Sequence, residues 1–354
     1  MMGALLIGGL ATACGGHHKV AASPNSAATT STSTTATTAP PREAARPQPK
    51  PKVATCPLTG QPAPGGRVPP RPALAVKVEN LPQARPQYGL SAADVVYEEP
   101  VEGGITRFIV IYQCHDAGRI EPVRSGRLVD PDIVRQYGAH PLFAYAGAIQ
   151  PVVDKVDSSS LVDVGIYRAP LSAYWRDPDR YAPHNLISDT AVLYAAGAAQ
   201  HAPPTPPPPV FHYGALPAHS AATSVNINYL YSDLTWTWLP GPGAWERSYV
   251  GAGAATMGEG GDITTTNVVV MKVVLYPTQY VEDATGIHEN ELVLTGSGPL
   301  QVFRNGAVIN GSWVRTSLNA TTELLDAAGH PIPLQPGPTW VELVPTTIPV
   351  TVNP

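Results

Sequence analysis

The sequence predicts an α/β chain: an N-terminal layered mixed-sheet α/β domain followed by a mostly β C-terminal domain. Three observations carry this expectation. About 300 residues follow a low-complexity start in a chain of 354 residues, too many for one small core and comfortable for two. A polyproline segment, HAPPTPPPPV at 201–210, divides them; it can neither continue a helix nor sit inside a sheet. Before that segment helix-like and strand-like patterns mix, whereas after it nearly every pattern has the strand period of two.

In the first half, ALAVKVE (73–79), DVVYEE (94–99), ITRFIVIYQ (105–113) and PLFAYAG (141–147) read as strands. Asp130-Pro131 ahead of DIVRQY and Gly138 predicts a short helix with an N-cap, a proline at its first position and a glycine stop. A second helix starts near Ser188-Asp189 and runs through AVLYAAGAAQ. In the second half VNINYLY, LTWTW, WERSYV, NVVVMKVVLY, ELVLTG, LQVFR, AVINGSWVR and TWVELVP read as short strands. Asn305-Gly306 between two of them signals a tight hairpin. The expected boundaries are 56–200 for the first domain, 201–210 for the linker, 211–349 for the second domain and 350–354 for a tail.

The first residues, MMGALLIGGLATACGG, contain an apolar run at 3–13. It is too short to span a bilayer, which takes about 20 residues, but it has the length and the small-residue end of a secretory signal. A cysteine directly after Ala-Thr-Ala matches a bacterial lipobox, so residues 1–13 read as a signal peptide and Cys14 as a lipidated, palmitate-bearing new N-terminus. Two departures are Ala11 where Leu is usual and the lack of a preceding Lys or Arg; an ordinary cleaved signal is the alternative, with Cys14 incidental. Residues 14–55 are rich in Ser, Thr, Ala and Pro and predict a disordered tether. Five basic residues against Glu43 give that tether a surplus of four positive charges, which suits an anionic membrane surface. The remainder holds 17 basic and 26 acidic side chains, a balance that excludes nucleic acid as the expected partner. The expected location is the outer face of the cytoplasmic membrane, with the membrane itself reached through Cys14.

Once Cys14 is assigned to lipid, Cys56 and Cys114 remain. In an oxidising compartment one disulfide is the economical reading, with two free thiols as the alternative.

Domain one holds 13 of the 17 basic residues beyond the tether. Clustered arginines suit a receptor for carboxylate or phosphate, which guanidinium meets in bidentate fashion. The candidates are Lys77 with Glu79 and Asn80; Arg85; Glu98, Glu102 and Arg107; and Arg124, Ser125 and Arg127. Alternation puts Arg107 on one strand face with Ile105, Ile109 and Ile111. An arginine among isoleucines either rims a pocket or pairs with a buried carboxylate, and Glu98 and Glu102 are both near enough in sequence to be that partner. His184-Asn185 stands just ahead of the second helix, where polar groups often help bind anions. No G-x-S-x-G, HExxH or metal-ligand spacing is present, and neither a metal nor a cofactor is expected.

Taken together, ARPQYGLSAADVVYEEPVEGGITRFIVIY, IEPVRSGRLVD and HNL resemble the YerB-like bacterial lipoproteins, a two-domain family of unknown function. The second half matches through WERSY, NVVVMKV, GSGPLQVFRNG, INGSWVR and LQPGPTWVELVP. Glu79 and Glu121 depart from the pattern, which has Asp or Asn before Asn80 and Gly ahead of the Pro-Val-Arg-Ser run. The resemblance implies a lipoprotein on the outer membrane face with an α/β N-terminal domain, and it implies no catalytic residues. Its motifs contain Arg85, Glu98, Glu102, Arg107, Arg124, Arg127, His184 and Asn185, so these eight are the expected lining of one polar cleft. The preferred function is binding of an anionic cell-wall component or a wall-synthesis partner there. A glycan or peptide hydrolase using Glu98 or Glu102 with His184 is the second reading. An adaptor docking through Trp236, Trp238 and Trp245 is the third.

Overall fold

The computed structural model describes residues 53–282 and 286–354. The expected signal peptide, Cys14 and the expected tether up to residue 52 lie outside them. Among the described residues, no helix is long and apolar enough to cross a membrane.

The fold is mixed α/β. Four of the first-half strands form where alternation placed them: β1 (Leu74–Glu79), β2 (Val95–Pro100), β3 (Thr106–Tyr112) and β4 (Leu142–Ala144), followed by a two-residue β5 (Val162–Asp163). Every residue of β1, β2 and β3 is buried, because the sheet they form is covered on both faces. Three helices accompany them: α1 (Asp130–Val134), α2 (Gln150–Asp157) and α3 (Thr190–Ala199). Asp189 caps α3 by accepting from Val192 N at 2.8 Å, as its sequence predicts. Asp130, expected as the cap of α1, is instead its first residue; its carboxylate accepts from Arg127 N at 2.7 Å and binds Lys77.

The halves before and after the proline-rich segment share one sheet. Its strand order is Glu323–Asp326, Ala307–Arg315, Gly296–Arg304, Asn267–Val281, Thr339–Pro345, then β2, β3, β1, β4, β5. The join is a parallel pairing of Thr339–Pro345 with β2, registered Thr339↔Val95 to Glu342↔Glu98. Asn305-Gly306 closes the expected hairpin, with Arg304 opposite Ala307.

A second sheet packs over one face of the first. Its order is Gly253–Ala254, Ala244–Tyr249, Asp233–Leu239, Ser224–Asn228, Val350–Asn353. Trp236 and Trp245 from this sheet are fully buried, so they are core residues and not docking anchors; Trp238 is half-buried beside them. Trp340 meets both Phe108 (ring centroids 5.0 Å) and Trp236 (5.1 Å) edge-on, an arrangement that adds roughly 0.5–1.5 kcal/mol per pair to simple burial. The other face carries Ile109, Ile111, Val129, Ile133 and Val156, which bring α1 and α2 onto it.

Cys56 and Cys114 form a disulfide, with Cα atoms 6.0 Å apart and 58 residues separating them. It ties the entry of the folded unit to the end of β3. Closing a loop of that length removes unfolded-state entropy equivalent to about 4 kcal/mol, less any strain. Replacing both cysteines by alanine should therefore lower unfolding free energy by up to that amount. Urea titration of the two forms checks it, and equal midpoints would show that the tie adds nothing.

Candidate functional site

The polar residues gather at one end of β1, β2 and β3, and strand parity divides them between the two faces. Arg107 lies opposite Glu79 of β1 and Glu99 of β2. Lys77, Glu79, Glu99 and Arg107 therefore share the face that carries α1. Glu98 and Thr106 point to the other face, toward the second sheet, where Glu342 joins them.

On the α1 face, Arg107 donates from Nη1 to Ser125 O (3.1 Å) and pairs through Nη2 with Glu102 (3.3 Å). Gly103 and Gly104 hold φ of 67° and 78°, a left-handed turn that glycine adopts without penalty and that swings Glu102 back over the sheet. Arg127 grips the same carboxylate through Nε (2.6 Å) and Nη2, and reaches Glu282 through Nη1 (2.9 Å). Burial would push the Glu102 carboxyl up, but the Arg127 hydrogen bond and both guanidinium charges outweigh it and hold it at about 2. Burial, then the charge of Arg127, pull Arg107 down to about 10. Glu289 accepts from Leu128 N at 2.9 Å, and burial together with neighbouring Glu282 pushes it up to about 8. Deeper still, Lys77 binds Glu99 and Asp130 (2.7 Å to the latter), and burial pulls its ammonium down to about 8.

On the opposite face, Arg247 lies fully buried between Glu98 (2.7 Å) and Glu342 (3.2 Å). Phe108, Trp236, Tyr249 and Trp340 surround its guanidinium, with ring centroids 5.0 to 5.7 Å away. Glu342 also accepts from Trp236 Nε1 (2.8 Å) and Tyr229 OH (3.0 Å). Burial, then the charge of Glu98, push Glu342 up to about 8. Asn80 donates to Glu98 and Thr106 and accepts from Arg85 and Tyr249 OH, while Arg85 stacks on Tyr249 at 3.5 Å.

Between these clusters the buried Glu79 carboxylate holds two half-exposed groups. Arg124 Nε lies 3.3 Å from Oε1, and His184 Nδ1 lies 2.9 Å from Oε2. The two are neighbours because the segment around Val123 runs antiparallel to Leu186–Ile187, with Val123 N donating to Leu186 O at 2.8 Å.

Seven of the eight expected residues thus fall into three groups. Glu102, Arg107 and Arg127 form one ion cluster; Arg85 and Glu98 belong to the Arg247 network; Arg124 and His184 meet on Glu79. Asn185 stands apart: it accepts from Arg176 and donates to the carbonyls of Asp177 and Arg180, which fixes a turn. His184 meets Glu79, and neither Glu98 nor Glu102 is its partner. Among the described residues, a concavity lined by Thr59, Ser91, His115 and Pro338 contains none of the eight. Sequence reasoning did not nominate Arg247 or Glu342. The signal was present: each stands two residues from a buried tryptophan, Trp245 or Trp340, on an alternating strand, and so shares its inward face.

Removing one member of a buried ion pair leaves an uncompensated charge and costs about 3–5 kcal/mol. Arg247→Met should destabilise the chain by that order in urea unfolding. In the Arg247→Met/Glu98→Leu/Glu342→Gln triple variant most of the loss should be recovered. The pH dependence has a definite sign. Burial and the charge of Glu98 raise Glu342 from an ordinary 4.5 to about 8 in the folded chain, so the folded chain binds more protons between those values. Stability from this group is full below the lower value and falls as pH rises to the upper one. Glu342→Gln should make that slope shallower, and an unchanged slope would show that Glu342 is ionised throughout.

Comparison with known proteins agrees with this architecture. Residues 58–203 match the model described as protein of unknown function (DUF3048) N-terminal domain, and residues 225–341 match its C-terminal domain. The chain is 27% identical over 302 residues to "Putative lipoprotein YerB" of Bacillus subtilis (strain 168), covering 83% of this chain and 87% of that one. The crystal structure of the YerB protein from Bacillus subtilis superposes with a TM-score of 0.73 at 23% identity, over 84% of this chain and 99% of that chain. Both halves, in the same order and built on the same fold, place the chain in the two-domain YerB-like family of proteins of unknown function.

Proposed function

We propose that this protein is a lipid-anchored extracytoplasmic binding protein that holds an anionic cell-envelope ligand at Arg124 and His184. The anchor is Cys14, and the tether lets the folded unit reach from the outer face of the cytoplasmic membrane to its ligand. The relative named as a lipoprotein supports the anchor, as does the lipobox-like start.

One observation carries the binding site: a single buried carboxylate, Glu79, meets His184 at hydrogen-bond distance and faces the Arg124 guanidinium as an ion pair. Contact through Nε leaves the terminal nitrogens of Arg124 available, and contact through Nδ1 leaves Nε2 of His184 available. Their side chains are 23% and 21% exposed. Two oriented donors on one exposed edge can meet two oxygens of a carboxylate or phosphate. The other arginines of the expected cleft already have carboxylate, carbonyl or aromatic partners, so the ligand-facing set narrows to these two.

The test is co-sedimentation of the full-length protein with isolated cell wall, alongside Arg124→Ala/His184→Ala. The wild type should pellet with the wall and the variant should lose most of that binding while keeping the wild-type circular dichroism spectrum; with Glu79 left buried without either partner, its urea midpoint should fall. Release of soluble wall fragments by the wild type would replace binding with hydrolysis. Equal pelleting of both proteins would remove Arg124 and His184 from the site.

A further inference from the structure

A concavity of about 480 Å³ lies away from Glu79. Thr59 and Gln61 of the entry segment, Ser91, His115 and Pro338 line it. A second hollow of about 170 Å³ shares Ser91, Ala92 and Asp116 with it and ends at Glu259. The two hollows adjoin along Ser91, Ala92 and Asp116 and are built from both halves of the chain, the kind of junction where small-ligand sites recur.

Each end of the groove presents one oriented group. At one end His115 Nδ1 lies 2.9 Å from Asp94, whose carboxylate is fully buried and also accepts from Gln113 N and Cys114 N (2.5 and 2.9 Å). Holding Nδ1 inward leaves Nε2 for the groove, and the ring is 42% exposed. The Asp94 hydrogen bond also raises the imidazole above its ordinary value, which favours the cationic donor.

At the other end Glu259 is held by Ser91 Oγ (2.6 Å) and by the Gly89 and Ser91 amides (3.3 and 3.4 Å). No cation pairs with it among the described residues. Its loop is pinned by Gly258 N donating to Gln87 O at 2.7 Å. A Cβ at Gly258 would stand 2.3 Å from the Tyr88 ring, so only glycine lets the loop approach this closely. Asp116 and Arg119, which also line the groove, are engaged elsewhere, Asp116 with Arg71 and Arg119 with Glu121 and Asp177.

We infer that this groove is a second binding site, for a short peptide with both ends free: its carboxylate on His115 and its ammonium on Glu259. The groups are a donor and an acceptor, fixed by buried or backbone partners, and set in adjoining hollows of small-ligand size. The match is to a zwitterion, which neither an anion nor a neutral sugar would satisfy at both ends.

Isothermal titration of the full-length protein with tri-alanine, N-acetyl-tri-alanine and tri-alanine amide tests this. Free tri-alanine should bind, and each blocked form should bind about 10- to 100-fold more weakly, the range for one charge-assisted hydrogen bond. His115→Gln, a half-exposed position that leaves Asp94 in place, should weaken free tri-alanine by the same factor while the amide loses nothing further. Glu259→Gln should do likewise toward the N-acetyl form. No heat with tri-alanine at millimolar concentration overturns the site. Equal affinity for free and blocked peptides, or sensitivity at one end alone, overturns the two-ended assignment.

Discussion

Arg247 is a full positive charge with no exposure to water, and the region where the two halves meet is arranged around the cost of putting it there. Moving such an ion into a low-dielectric interior costs several kcal/mol even after relaxation. The parallel join creates the compensating need. It sets Glu342 directly beside Glu98 on the same face, where two carboxylates would repel across adjacent strands. One guanidinium between them, delivered by the second sheet, meets both. Two acids still face one cation, and burial beside Glu98 favours a proton on Glu342 by raising its pKa. Sheet pairing, sheet stacking and protonation are thus one coupled problem at this point.

The same logic repeats on the opposite face. Arg107 cannot sit among Ile109 and Ile111 without a counter-charge, and the Gly103-Gly104 turn brings Glu102 to it. Glu102 in turn accepts Arg127, and Arg127 extends the cluster to Glu282 in the C-terminal half. The polar residues inside VEGGITRF and PVRSGR therefore largely answer one another. Long polar motifs can identify a family because they encode a closed charge arrangement, with no ligand required.

What the sequence revealed followed from how local the physics was. Alternation located β1 to β4 and the long C-terminal strands because each is decided within a few residues. The hairpin at Asn305-Gly306 was equally plain. The parallel join of Thr339–Pro345 to β2 was hidden, since parallel strands need no turn between them and leave no local signature. That concealed the choice between Glu98 and Glu102 as partner of Arg107. Both are near in sequence, yet β2 faces Arg107 with Glu99, so Glu98 must point away. His184 was visible as a candidate, but its partner Glu79 is more than a hundred residues earlier and buried, a pairing that only the tertiary fold supplies.

Burial and face also bear on the hydrolase reading. Glycoside hydrolysis canonically requires two carboxyl groups flanking one bond, about 5–9.5 Å apart. Glu98 and Glu102 serve networks on opposite faces of the sheet, with β-strand backbone between them, and so cannot flank a common bond. Each also has partners of its own: Glu98 pairs with Arg247, and Glu102 with two arginines that hold it near 2, far from the value a general acid needs at neutral pH. The groups with valences to offer a ligand are the exposed partners of buried acids, Arg124 and His184 on Glu79 and His115 on Asp94. In each case the carboxylate fixes a donor in place instead of meeting the ligand itself. Donors held this way lose little freedom on binding, which favours recognition.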